Sequence, residues 1–238
     1  MSATGLSPED VERLTADVAG WFGPLEGRLL YRLAAQADPR GCIVEIGSWH
    51  GRSTVWLAAG ALAGRGARVY AVDPHRGTPL RGKGETTEIA LRQNLERAGV
   101  AGTVEVVVAT SEDAASGWGR PVSLLFIDGD HEYESVRRDF ELWQEHLLPD
   151  AVVALHDTFV VPGPERVVRE LLIASPGYTD FAHAETTTAA RRCGPLGPRG
   201  ALARRAALLR RAFYGARLRA YDSNKLGYAR VRDALVHR

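Results

Sequence analysis

The chain has 238 residues, with 30 Lys and Arg against 29 Asp and Glu, a formal net charge of +1, and 45% hydrophobic residues. That length suits one large α/β domain, and the composition is that of a globular chain rather than a disordered or collagenous one. No apolar run reaches the ~18 residues that cross a bilayer, the N-terminus lacks a charged-then-apolar leader pattern, and two cysteines make no disulfide framework; a cytoplasmic protein without a membrane span is expected.

In chain order, Ser7-Pro8-Glu9-Asp10 opens the first of two helices between residues 7 and 35, with Ser as N-cap, Pro in the first turn and acids near the positive end of the helix dipole. A break falls near Gly23-Pro24. From residue 40 to about 176, short β-rich runs (42–46, 68–72, 103–108, 122–127 and 151–156) alternate with helical patterns (53–63, 87–98, 113–118, 133–147 and 164–174). Such alternation implies a doubly wound, mostly parallel sheet with helices on both faces. Residues 178–184 and 226–231 read as two further strands. The expected organisation is a single domain over 1–238: a helical cap (1–39), a core (40–184), a basic helical insertion (185–225), then a last strand and tail (226–238). Cys42 opens an apolar strand and is expected to be a buried free thiol.

Charge is unevenly placed. Residues 189–238 hold 13 Lys and Arg and 2 Asp and Glu, while the preceding 188 hold 17 and 27. A basic tail of this kind serves nucleic acid, an acidic partner or simply a solvated face balancing an acidic body.

Two strand ends carry chemistry. Leu124-Leu125-Phe126-Ile127 runs into Asp128-Gly129-Asp130-His131, and Val152-Val153-Ala154-Leu155 runs into His156-Asp157. In a parallel sheet all strand C-termini open on one edge, where ligands bind. The first strand ends in Glu45-Ile46-Gly47-Ser48-Trp49-His50-Gly51-Arg52-Ser53, a glycine turn before a helix whose N–H groups can face a ligand. The second strand ends in Asp73, 26 residues after Gly47, where an acid in doubly wound folds pairs with ribose hydroxyls. Ser111 and Glu112 follow the third strand on the same edge. Together these suggest an adenosine-type ligand.

The Glu45-to-Ser53 block with Asp73-Pro74-His75 resembles the S-adenosylmethionine site of class I methyltransferases. Ile127-Asp128-Gly129-Asp130-His131-x-Tyr133, then Asp139-x-x-x-Trp143 and His156-Asp157-Thr158, resembles the branch of small-molecule O-methyltransferases related to macrocin O-methyltransferase and cephalosporin-biosynthesis proteins. The resemblance implies a Rossmann-like seven-stranded sheet with the last strand antiparallel. It also implies that Glu45 lies near the methionine amino group and that Gly47, Ser48 and Gly51, with Ser53 beside them, line the methionine and ribose. Asp73 would hold the ribose hydroxyls, with Ser111 and Glu112 near the adenine.

Methyl transfer from a sulfonium to an alcohol needs orientation and a group that removes the hydroxyl proton or lowers its cost. Asp128 and Asp157 are hard oxygen ligands at adjacent strand ends, suited to a divalent cation such as magnesium or manganese, with His156 as a softer third candidate. His131 titrates near neutrality and suits a general base. The spacing Asp128-x-x-His131 parallels catechol and sugar O-methyltransferases; those relatives present paired acids, or an acid and an amide, where this chain has His156-Asp157. Trp143 is expected in the core. The glycine-rich loop 74–85 is expected to act as a lid.

The reading is an S-adenosylmethionine-dependent O-methyltransferase, metal-assisted, acting on a small-molecule hydroxyl. A sugar hydroxyl of a glycosylated natural product comes first and a phenol or catechol second. A homo-oligomer is compatible with it. The competing classes are a nucleic-acid-binding or nucleic-acid-modifying methyltransferase and a donor-binding scaffold without activity. The chain carries no Asn/Asp-Pro-Pro-aromatic motif of base methylation, which weighs against a nucleic-acid-modifying methyltransferase.

Overall fold

The computed structural model describes residues 5–76 and 87–223. Two N-terminal helices, α1 (Pro8–Thr15) and α2 (Pro24–Gln36), precede β1 (Cys42–Ile46), α3 (Arg52–Ala63), β2 (Val69–Val72), α4 (Glu88–Arg97), β3 (Val104–Val107) and α5 (Ser111–Ser116). The chain continues through β4 (Val122–Ile127), α6 (Tyr133–Trp143), β5 (Leu147–Leu155) and α7 (Pro162–Val167), which runs on as a π-helical segment to Ile173. A hairpin of β6 (Tyr178–Ala184) and β7 (Thr187–Arg192) and a long helix α8 (Pro198–Ser223) complete it. Ser7 caps α1 as its residue type requires, its hydroxyl accepting the Asp10 N–H while Asp10 accepts the Ser7 N–H.

The sheet order is β3-β2-β1-β4-β5-β7-β6. β1 to β5 pair in parallel, and β7 lies antiparallel between β5 and β6. Successive strand residues point to opposite faces, so each strand feeds two cores. Ile43, Val69, Leu124 and Ala154 pack with Leu30, Trp56, Leu57 and Leu91 on one face. Val44, Tyr70, Leu125 and Val153 pack with Phe140, Trp143, Leu172 and Ala207 on the other. α3 is apolar nearly all round because it is covered twice, by the sheet and by α2. Gly60 is what lets α2 approach, since a Cβ there would stand 2.3 Å from the Tyr31 carbonyl oxygen.

The seventh strand differs from the expected one. It is Thr187–Arg192, inside the segment read as an insertion, and the basic helix follows it rather than preceding it. The segment 226–231 lies outside the described residues, as does most of the loop expected to form a lid. β7 is hard to read because its inward residues are Thr187, Thr188, Ala189 and Ala190, which are small or polar yet fully buried. Four of the tail's arginines fasten it to the body. Arg204 donates to the carbonyls of Ile173, Ser175 and Tyr178, Arg192 to Leu147, Arg191 to Asp150 and Arg211 to Thr158. Guanidinium groups are suited to this because their several N–H donors satisfy carbonyls left over at helix and strand ends.

Cys42 is buried, its thiol pushed up to about 12 by burial. No described helix is long and apolar enough to cross a membrane.

Candidate active site

The C-terminal ends of β1, β2, β4 and β5 meet on one edge, as a parallel sheet requires. The turn after β1 presses against the end of β4. Gly47 has φ +87°, and a Cβ there would lie 2.3 Å from the Asp128 carbonyl oxygen, so both its conformation and the contact call for glycine. Gly51, with φ +82°, begins α3. Trp49, between them, has φ +42° and donates its N–H to Asp73 Oδ2 at 2.9 Å. Asp73 Oδ1 accepts the His75 N–H at 2.7 Å. Asp73 therefore sits at the end of β2 facing the glycine turn, as expected.

Glu45 is fully buried and pushed up to about 8, mainly by that burial, against the pull of Ser53 and Thr54, which each donate a hydroxyl to it at 2.5 Å. Ser53 thus supports Glu45 rather than lining the pocket by itself. Ser48 Oγ is buried and has no hydrogen-bond partner among the described residues, a vacancy that a polar ligand on the glycine turn would fill. Ser111 accepts the Trp143 indole N–H at 2.9 Å, which keeps Trp143 in the core and ties the start of α5 to α6. Glu112 pairs on the surface with Arg138 at 3.0 Å. The glycine cradle, the unpartnered hydroxyl and the strand-end acids fit an S-adenosylmethionine-like donor.

The second half gathers Asp128, His131, His156 and Asp157. Asp157 takes φ +58°, a strained conformation of the sort found where a side chain must be aimed. His131 Nε2 lies 2.9 Å from Asp157 Oδ2, and His156 Nδ1 lies 3.1 Å from Asp128 Oδ1 and 3.4 Å from Asp157 Oδ2. The hydrogen bond to Asp157 raises the His131 pKa, and the two imidazoles hold Asp157 far below the ordinary carboxylate range despite its burial. Burial raises the pKa of Asp128. Asp130 accepts the His131 N–H at 2.7 Å and so shapes the loop rather than joining the cluster. α7 closes over this loop through Gly163, where a Cβ would stand 2.1 Å from the His131 carbonyl oxygen.

His156 is 5% exposed, and its other nitrogen meets a residue that sequence reasoning missed. Nε2 lies 3.2 Å from Oε1 of Glu26, which is 2% exposed on α2. Glu26 stands three residues after Gly23 and accepts its N–H, so in sequence it reads as an ordinary helix-capping acid. Nothing local signals its second role.

The donor types Asp128, Asp157 and His156 suit a divalent cation of the manganese or zinc kind better than magnesium. As described, these groups are closed on one another as ion pairs, and no group of three or more His, Cys, Asp or Glu among the described residues stands open as a metal shell.

Residues 44–158 match the methyltransferase-domain family. That match runs from within β1 to just past the end of β5. Over 108 residues it is 41% identical to catechol O-methyltransferase of Mycobacterium tuberculosis, a match covering 45% of this chain and 44% of that protein. The matched part thus spans less than half of that relative's length. Among solved structures, the cofactor-bound Rv0187 from MTB superposes with a TM-score of 0.59 at 25% identity, covering 80% of this chain and 92% of that one. The O-methyltransferase TomG from Streptomyces achromogenes, in complex with SAM, superposes with a TM-score of 0.58 at 21% identity, covering 81% and 93%. The methyltransferase match ends at Thr158, so Glu26, β6, β7 and α8 lie outside it.

Proposed function

We propose that the protein is an O-methyltransferase that moves the methyl group of S-adenosylmethionine to a hydroxyl of a small molecule. The observation that carries the donor half is the glycine cradle at Gly47, pressed on Asp128 and flanked by the unpartnered Ser48 hydroxyl and by Glu45 and Asp73. In this reading Gly47, Ser48 and Gly51 line the methionine and ribose, Glu45 faces the methionine amino group, Asp73 takes the ribose hydroxyls, and Ser111 and Glu112 border the adenine. The donor supplies an electrophilic methyl group; the chain supplies placement.

His131 takes the proton of the acceptor hydroxyl. Asp157 accepts its Nε2–H, which fixes the ring and leaves Nδ1 to receive that proton. Asp128 and Asp157, with His156, are the residues that would hold a divalent cation, whose Lewis acidity would lower the cost of ionising the acceptor. His156 as a donor favours manganese over magnesium. The acceptor is a sugar hydroxyl or a phenol; the name of the catechol O-methyltransferase relative puts catechols beside glycosides in the panel to be screened. A cytoplasmic location and a self-associated state complete the reading. The basic tail does not favour nucleic acid, since four of its arginines are engaged on backbone carbonyls.

Isothermal titration with S-adenosylmethionine tests the donor half. Saturable binding that weakens in Asp73→Ala is expected, and no heat of binding in the folded protein would end the proposal.

A further inference from the structure

Beside the strand-end cluster, β6 and α8 frame a groove of about 510 Å³ lined by His183, Arg210, Phe213, Tyr214 and Arg217. The sheet register puts this groove on the ligand edge. Leu155, the residue before His156, pairs with Thr188, and Thr188 pairs in turn with His183. His183 therefore lies two strand spacings from the end of β5, roughly 10 Å away. An acceptor of one or two rings bridges such a distance. Phe159, two residues after Asp157, joins the groove wall to the loop that carries the cluster. Its ring centroid lies 5.4 Å from that of Tyr214 and 6.3 Å from that of His183.

The arginines of α8 are used in two ways here. Arg211 is turned into the fold: its guanidinium covers the Phe159 ring at 4.4 Å and donates to the Thr158 carbonyl at 3.2 Å. Arg210 and Arg217 line the groove instead, and neither meets a carboxylate among the described residues. With Phe213 and Tyr214 they stand at intervals of three, four and seven residues, so all four share one face of the helix. Two guanidinium groups around a concavity with no acid between them are a local excess of positive charge that an anion relieves. His183 adds a second unmet demand, since its Nδ1 is buried and has no hydrogen-bond partner among the described residues. Burial, with the charges of Arg211 and Arg210, lowers the His183 pKa, so at pH 7 the ring is neutral and can offer an N–H. The Tyr214 ring packs on His183 with centroids 4.2 Å apart and is fixed there by its hydroxyl, which donates to the Glu185 carbonyl at 3.2 Å.

We propose that this groove is a subsite for the acceptor, and that the acceptor carries an anionic group, a carboxylate or a phosphate, on the part held away from the methylated hydroxyl. Arg210 and Arg217 take the anion, and Phe213 and Tyr214 flank the part of the molecule that bears it. This rests on the reading of the strand-end cluster as the place of methyl transfer. The guanidinium fork matches carboxylate and phosphate oxygens alike, whereas an uncharged acceptor would leave both arginines uncompensated.

The test uses the full chain with S-adenosylhomocysteine bound, so that nothing turns over, and two matched pairs of probes: 3,4-dihydroxybenzoate against catechol, and glucose 6-phosphate against glucose. Calorimetry gives the affinities, and ¹⁵N-histidine spectra, with His183 assigned through His183→Gln, report where the probe lies. At least one acidic probe is expected to bind at least about tenfold more tightly than its neutral partner and to shift the His183 signal. The pair that shows the preference separates carboxylate from phosphate. In Arg210→Gln/Arg217→Gln that preference should fall to within about threefold while donor affinity holds; both arginines are exposed, so the fold does not depend on them. No binding of either acidic probe, equal binding within both pairs, or a preference that survives the double substitution would overturn the proposal. Inorganic phosphate binding as tightly as the organic acids would overturn it too, because the groove would then hold a free anion only. Absence of S-adenosylmethionine binding would instead strike the donor reading, and the same probes titrated without the donor product would still decide the groove.

Discussion

Gly47→Ala is the sharpest perturbation of the donor half. The residue sits at φ +87°, and an alanine Cβ would lie 2.3 Å from the Asp128 carbonyl oxygen and 2.6 Å from its carbon, both backbone atoms of a buried strand end. Two costs add. Holding an L-residue in the left-handed region costs about 1–2 kcal/mol. Forcing a methyl group into a filled space costs about 1–3 kcal/mol. Gly66 separates them, because it has φ +77° with nothing within 4 Å of a built Cβ. Gly66→Ala is therefore expected to lose only the conformational part, about 1–2 kcal/mol, and Gly47→Ala about 2–5 kcal/mol, in urea unfolding. The relief open to Gly47→Ala is to move the β1–α3 turn off the end of β4, which disturbs the cradle. S-adenosylmethionine affinity should fall at least about tenfold, the equivalent of ~1.4 kcal/mol, in Gly47→Ala and stay unchanged in Gly66→Ala. Equal destabilisation of the two variants, with equal donor affinity, would refute the contact and the placement of the cradle together.

Glu45, raised to about 8, is protonated in the fold at pH 7 and ionised when unfolded, so its contribution to stability is present below pH 4.5 and is lost as pH rises to about 8. A cationic donor favours the ionised carboxylate; donor binding at pH 7 should release a proton, seen as a buffer-dependent heat in calorimetry, and Glu45→Gln should abolish both effects. Gly163→Ala pushes α7 off the His131 carbonyl oxygen and should lower kcat on an identified acceptor while leaving donor affinity unchanged. His131→Ala should cost roughly 100- to 10,000-fold in kcat with donor affinity intact, and retained turnover would remove His131 as the base. Arg204→Ala leaves three carbonyls without their donor and should cost about 2–4 kcal/mol in urea unfolding, a loss that a merely solvated arginine would not give.

The core was legible because its signals are local. The runs at Cys42–Ile46 and Val122–Ile127 are apolar, and the chemistry begins at the residue after each strand or within the turn. Asp73, Asp128, His131 and Asp157 come together because parallel strands share one open edge, a rule of topology that sequence order alone invokes. β7 was missed because buried strands are usually recognised by branched apolar residues, whereas Thr187, Thr188, Ala189 and Ala190 are buried by their neighbours rather than by their own character. Glu26 was missed because a capping acid and a buried partner of an imidazole have the same sequence signature, and its partners lie 130 and 160 residues away. The basic tail misled in the same way: an arginine fastening a carbonyl and one facing solvent are written with the same letter.

The two halves of the site differ in what builds them. Gly47, Asp73 and Asp128 follow the ends of three neighbouring parallel strands, β1, β2 and β4, within residues 44–158. His156 depends on pieces beyond it: Glu26 on a helix that precedes β1, and Thr186 in a turn that exists only once β7 has inserted between β5 and β6. Burying the Glu26 carboxylate without His156 and the two threonines would leave a charge with too few partners, and burying His156 without Glu26 would leave its Nε2–H with only the Thr186 hydroxyl oxygen to accept it. Each is therefore tolerable only when the other is in place, which couples the docking of α2 and of the β6–β7 turn to the geometry of Asp128 and Asp157. Variation in the cap and the hairpin, outside residues 44–158, can accordingly shift the cluster of Asp128, His156 and Asp157 without altering any residue at its strand ends.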